Sequence, residues 1–179
     1  DTPYDPYGSM GTEESRRQFR SIGINRNCHL SILQIRSDVP AEIAGIQWIG
    51  FSSQPFNTIV PFYTNVNTLP ERFTNTTARV TTDSFYWINR IIAAIASPVY
   101  NEVIQTIENY KQETVGWGHH VLNEMDQVTA EKQPAELSVL LEQANQKIAD
   151  HVYESTEKLL DTVLFTASNA MANHFSRND

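Results

Sequence analysis

Apolar residues recur along the chain with two different periods, and the change falls near residue 83. Before it, three short segments rich in β-branched, aromatic and aliphatic residues cover 29–36, 42–51 and 57–63. They are divided by Ser37-Asp38-Val39-Pro40 and Ser52-Ser53-Gln54-Pro55. Connections this short join neighbouring antiparallel strands, so the pattern predicts a meander. In the first segment Leu33 and Ile35 share one face and Leu30 and Ile32 the other. In the second, Ile43, Ile49 and Phe51 oppose Ala44, Ile46 and Trp48. A sheet wet on one side alternates apolar with polar. This one is apolar on both faces, which predicts cover on both, by helices, by another sheet or by one of each. Pro61 has no N–H for a ladder and puts the third strand at an edge or a bulge.

From Asp83 the period lengthens. Asp83 or Ser84 caps a helix whose buried stripe is Phe85, Ile88, Ile91, Ile92 and Ile95, and Pro98 stops it. A second helix carries Val103, Ile107 and Tyr110 in register, and Gly116-Trp117-Gly118 predicts a break or kink before 119–128. After Gln133-Pro134, the residues Leu137, Leu141, Ala144, Ile148, Val152, Leu159 and Val163 return at helical spacings. They predict one long amphipathic helix continuing toward Ala172. The fold class is therefore α+β, antiparallel strands followed by long helices, with a strand-rich part over 1–82 and a helical part over 83–179 in one structural unit. No internal repeat or low-complexity tract interrupts it.

Composition narrows the partners. A chain of 179 residues, 40% hydrophobic, buries a substantial core. Its formal net charge of -8 argues against nucleic acid, because counterion release needs clustered Lys and Arg. The basic residues cluster only at Arg16, Arg17 and Arg20, beside Glu13 and Glu14. The longest apolar run, 91–96, falls far short of the roughly 20 residues of a membrane-spanning helix. One cysteine makes no internal disulfide and suits a reducing compartment, so a cytoplasmic location is expected. The opening Asp1-Thr2-Pro3-Tyr4-Asp5-Pro6-Tyr7-Gly8 reads as successive turns, without a signal-peptide pattern, and predicts a chain that opens in mid-domain.

The candidate chemistry centres on Asn25-Arg26-Asn27-Cys28-His29. Cys28 offers a thiolate that Arg26 or His29 would favour, but adjacent strand residues point to opposite faces, so His29 does not easily reach the sulfur. The plainer reading is a small buried residue entering a strand. Arg26, between two asparagines ahead of that strand, offers five rigid donors to a carboxylate, thiolate or oxyanion; a loop ion pair is the alternative. His119-His120 with Glu124 and Asp126 invites a metal reading, yet the His-Glu-x-x-His order is missing, and surface or packing histidines explain it better. Asn75-Thr76-Thr77 matches a glycosylation sequon that arises readily by chance. Glycine-rich phosphate loops and Gly-x-Ser-x-Gly are not found.

Several separate stretches then fall into one order. Thr2-Pro3-Tyr4-Asp5-Pro6-Tyr7, Ile22-Gly23-Ile24-Asn25-Arg26, His29-Leu30-x-Ile32-Leu33-Gln34-Ile35-Arg36 and Pro40-Ala41-Glu42-Ile43 are followed by Phe62-Tyr63-Thr64-Asn65-Val66, Asp83-Ser84-Phe85-Tyr86-Trp87-Ile88-Asn89-Arg90 and Ala167-Ser168-Asn169-Ala170-Met171. Together they resemble the cysteine dipeptidases of lactic acid bacteria and their relatives, over essentially the whole chain, as the C-terminal part of that family's sequence. The resemblance implies an N-terminal-nucleophile hydrolase with a four-layer αββα sandwich, in which a mature N-terminal cysteine attacks a dipeptide and its own α-amine serves as base. It implies no metal and no organic cofactor.

Residue 1 is Asp and Cys28 is internal, so neither is that nucleophile; the resemblance places it in a preceding N-terminal portion. Arg26 fits the arginine that related acylases carry near the nucleophile. Asp5 and Tyr7 are assigned to a substrate-side loop, although turn structure explains them equally well. The expected partners are a dipeptide, the N-terminal portion of the same protein, and a second copy through exposed apolar surface, since a truncated two-sheet fold exposes apolar area or covers it by self-association. The chain on its own is expected to be inactive. Two alternatives remain: an amidase for another small amide of penicillin V or bile-salt type, and a non-enzymatic module that assembles through the helix over 137–163.

Overall fold

The computed structural model describes residues 27–129 and 134–171. They form a three-stranded antiparallel sheet, β1 (His29–Ile35), β2 (Gly45–Phe51) and β3 (Val60–Tyr63), in the order β1-β2-β3. The predicted meander is present, with Leu33 opposite Gln47 and Gln47 opposite Phe62. Two strands start later than the apolar pattern suggests: β2 because the chain first makes the 3-10 turn Ala41–Ile43, and β3 because an irregular stretch over 57–59 follows the 3-10 turn Gln54–Phe56. Pro40 precedes the first and Pro55 lies within the second, where a fixed φ suits a helical turn and a missing N–H costs nothing. As Pro61 requires, β3 is an edge strand.

Four helices follow: α1 (Glu71–Thr74), α2 (Phe85–Ala96), α3 (Tyr100–Thr129) and α4 (Pro134–Asn169). Ser84 stands at the N-cap of α2, where its carbonyl accepts the Ile88 N–H at 2.9 Å. The buried stripe of α2 is rotated from the expected one. Phe85, Ile88 and Ile92 are buried as predicted, whereas Ile91 and Ile95 are half-buried and Asn89 takes a core position, donating to the Phe85 carbonyl at 2.7 Å. All seven apolar residues predicted for the last helix are buried, and α4 ends at Asn169.

The predicted break at Gly116-Trp117-Gly118 does not occur: α3 runs unbroken for 30 residues. The reason lies in tertiary packing. A Cβ on Gly118 would sit 2.7 Å from Cγ of Pro61, so this glycine lets α3 rest on β3. Gly116 meets nothing within 4 Å and carries only the propensity cost of roughly 1 kcal/mol, which a long packed helix tolerates.

Cover on the sheet is uneven. On one face Phe62 meets Phe73 of α1 edge-on at 4.8 Å, Phe73 stacks on Phe85 of α2 at 4.2 Å, and Phe51 joins them. On the other, His119 of α3 lies 4.9 Å from Trp48, beside the Gly118–Pro61 contact. Along the outer edge of β3 runs α4, whose buried Asn145 accepts the Tyr63 N–H at 2.8 Å and donates to the Tyr63 carbonyl at 3.1 Å. Every residue of β3 is buried. The expectation of cover on both faces therefore holds for β3 and fails for β1, where Ile32 is 46%, Leu33 75% and Ile35 87% exposed. The helices gather at the β3 side, so the far strand lies beyond their reach. Among the described residues, no helix is long and apolar enough to cross a membrane.

Candidate functional site

The start of β1 is where sequence and structure converge. Cys28 leads into the strand, but it is exposed, not buried as its residue type suggests, because the strand it opens is the uncovered one. Its carbonyl accepts the Ser52 N–H at 3.2 Å, one rung beyond the His29–Phe51 pair. Its sulfur lies 4.0 Å from Nη1 of Arg90, on α2. Tyr86, one turn earlier on α2, stands 5.9 Å from the Arg90 guanidinium across its ring. Burial, and after it contact with Cys28, raises the Tyr86 phenol above its ordinary pKa. His29 turns to Phe51, ring centroids 5.6 Å apart, in keeping with strand alternation.

Beyond β2 the chain turns sharply. Ser52 adopts φ 72°, the left-handed region that costs a non-glycine residue about 1–3 kcal/mol when strain persists. The Asn57 amide holds it there, donating to the Phe51 carbonyl at 2.7 Å and to the Ser52 carbonyl at 3.3 Å. Ser53 is 4% exposed, and its hydroxyl has no hydrogen-bond partner among the described residues. Between this turn and α2 lies a cavity of about 310 Å³, lined by Ser52, Ser53, Phe56, Arg90, Ala93, Ala94 and Ser97. Hydroxyls and one guanidinium suit it to an anionic or strongly polar group.

The other candidates serve packing. His119 rests on Trp48, and His120 lies beside Trp117, which also stacks on His151 at 4.3 Å. Glu124 pairs with Lys147 at 2.6 Å, and that ammonium holds its carboxyl below the usual range. Asp126 pairs with Arg36 at 2.8 Å, tying the end of the first strand segment to α3. The four are thus divided among different partners, and no metal-binding group of three His, Cys, Asp or Glu occurs among the described residues. Near that ion pair, burial pushes the Tyr63 phenol up to about 12 against the opposing pull of Arg36.

Arg26, Asp5 and Tyr7, the residues that the sequence nominated, lie outside the described residues. The structure adds Ser52, Ser53, Tyr86 and Arg90. In the sequence Ser52-Ser53 reads as loop and the stretch from Asp83 to Arg90 as helix. Only the recurrence of that second stretch in the family resemblance marked it.

Residues 1–113, more than half of the chain, match the sequence profile of peptidase family C69. The chain belongs to peptidase family C69. Within this C69 match lie β1, the Ser52–Ser53 turn and α2, so the site described above is inside the family's region. The chain is similar to a probable dipeptidase A of Streptococcus pyogenes serotype M18, 50% identical over 180 residues, covering 100% of this chain and 37% of the relative. It is also similar to a dipeptidase of Bifidobacterium longum, at 38% identity, covering 99% and 40%. A dipeptidase A of Lactobacillus helveticus is 42% identical, covering 89% and 34%. The C69 chain thus spans well under half the length of the curated relatives it matches.

Proposed function

We propose that this chain is the C-terminal portion of a cytoplasmic cysteine dipeptidase, an N-terminal-nucleophile hydrolase whose complete fold is a four-layer αββα sandwich. One observation carries the reading. In a C69 chain spanning 37% of a dipeptidase relative, the strand that Arg26 leads into has an edge unpaired among the described residues and exposed Leu33 and Ile35, while the opposite edge is sealed. An open, apolar edge is a place where further strands add.

On this reading the nucleophile is an N-terminal cysteine in the preceding portion. Its thiolate attacks the peptide carbonyl carbon, the carbonyl oxygen becomes an oxyanion, and collapse expels the amine of the second amino acid, which takes the proton held by the α-amino group. Water then attacks the thioester and returns the thiol. Arg26 lies two residues before Cys28, a separation that no chain conformation extends beyond about 7 Å between Cα atoms. Its guanidinium donates to the oxyanion, a role whose removal costs about 10²-fold or more in rate. Asp5 and Tyr7 contribute to the substrate side.

The test begins with the reading frame upstream of Asp1. The full-length protein should begin Met-Cys and hydrolyse dipeptides, and Arg26→Ala should lower its kcat/KM by about 10²-fold or more. The 179-residue chain alone should show no turnover. A reading frame that opens at Asp1, or turnover by this chain with full-length enzyme excluded by mass spectrometry, overturns the proposal.

A further inference from the structure

We propose that the cavity between the Ser52–Ser53 turn and α2 receives the free α-carboxylate of the substrate, with Arg90 as its counter-charge and the Ser53 hydroxyl as a second donor. The assignment rests on the dipeptidase reading above and adds to it the group by which a dipeptide is told from a longer peptide.

Three observations support it. Arg90 is the one charged residue among those lining the cavity, and no Asp or Glu lines it. Arg36 of the same sheet region is paired with Asp126, whereas Arg90 has no carboxylate within ion-pair distance among the described residues. Its polar surroundings are instead the sulfur of Cys28 and the ring of Tyr86. In a chain carrying net charge -8, an arginine in a cavity without acids retains its donors for an anion. Ser53 supplies the third. It is 96% buried by its 4% exposure, lines the same cavity, and its Oγ has no partner among the described residues, although buried hydroxyls nearly always have one.

The location gives the pocket its meaning. Arg90 touches Cys28, at the start of the strand into which Arg26 leads. A dipeptide carries its carboxylate one residue beyond the scissile carbonyl, and a tripeptide carries it one residue, about 3.5 Å, farther. A guanidinium anchored on α2, with Ser53 facing it from the turn, therefore selects by length on this reading.

The experiment uses the full-length protein and two substrates, a dipeptide and the same dipeptide as its C-terminal amide. Wild type should prefer the acid. Arg90→Met should raise KM for the acid about 10- to 100-fold with kcat within about twofold, and leave the amide unchanged, so the preference collapses. Arg90→Lys should restore part of it, and Ser53→Ala should lower it by a smaller factor without shifting Tm. An acid-to-amide ratio unchanged in Arg90→Met and Ser53→Ala, or a loss equal for both substrates, overturns the pocket while leaving the dipeptidase reading intact. Failure of wild type to cleave either substrate overturns the dipeptidase reading itself. If Arg90→Met does not fold, the ratio in Arg90→Lys and Ser53→Ala decides the question.

Discussion

β1 and β3 are the two edges of one small sheet, and they have opposite fates. β3 is short, contains a proline, and is buried at every residue. β1 is longer and carries Leu30, Ile32, Leu33 and Ile35, yet of these only Leu30 is even half-buried, and Ile32, Leu33 and Ile35 are exposed. Apolar content does not separate them; the neighbours do. The outward backbone of β3 offers Pro61, which has no N–H, and Tyr63, whose N–H and carbonyl are both taken by Asn145. The outward groups of β1 meet no strand among the described residues. An edge is closed by a few hydrogen bonds placed at the right positions, and exposed hydrophobic strand marks where closure is supplied from elsewhere.

The strongest way to break this contrast is Asn145→Leu. It leaves the Tyr63 N–H and carbonyl buried without partners, and an expected loss of about 3–5 kcal/mol should appear in urea unfolding. A loss below about 1 kcal/mol would show that the amide does not seal the edge. Alkaline pH probes the same strand. The Tyr63 phenol ionises near 10 in the unfolded chain and about 12 in the folded one, so its contribution is intact below pH 10 and disappears as pH rises through 12. Stability should fall over that window, by at most about 2–3 kcal/mol. Tyr110, also raised by burial, adds to the slope, and Tyr63→Phe should flatten it by Tyr63's share. The smallest effect is expected on the other edge. Leu33→Lys should change the stability of this chain by no more than about 0.5 kcal/mol, but cost the full-length protein more than about 2 kcal/mol. Equal small effects in both would mean that nothing covers β1.

Much of the contrast was legible in the sequence. Three short apolar segments with tight connections located the meander, Pro61 located an edge, and seven apolar positions drew the buried stripe of α4. What escaped depends on contacts between distant residues. Asn145 interrupts no apolar pattern and looks like any polar helix residue until Tyr63, 82 positions away, is beside it. Gly118 reads as a helix breaker because propensity is local, while its packing against Pro61 is not. Cys28 reads as buried because cysteines usually are, and its exposure follows from the open side of the sheet. Arg26 is nominated by its motif and lies outside the described residues. Ser53 and Arg90 emerge only when a turn and a helix are folded onto the same cavity.

The seal that α4 places on β3 also bears on how copies of this sheet could pair. Filaments built by edge pairing need two open edges on every unit, one to accept and one to pass on. Among the described residues this sheet has one, so pairing through strands alone would join two copies at β1 and leave no second edge to pass on. The helix that closes one edge thereby caps the sheet on that side, while Leu33 and Ile35 stay exposed on the other.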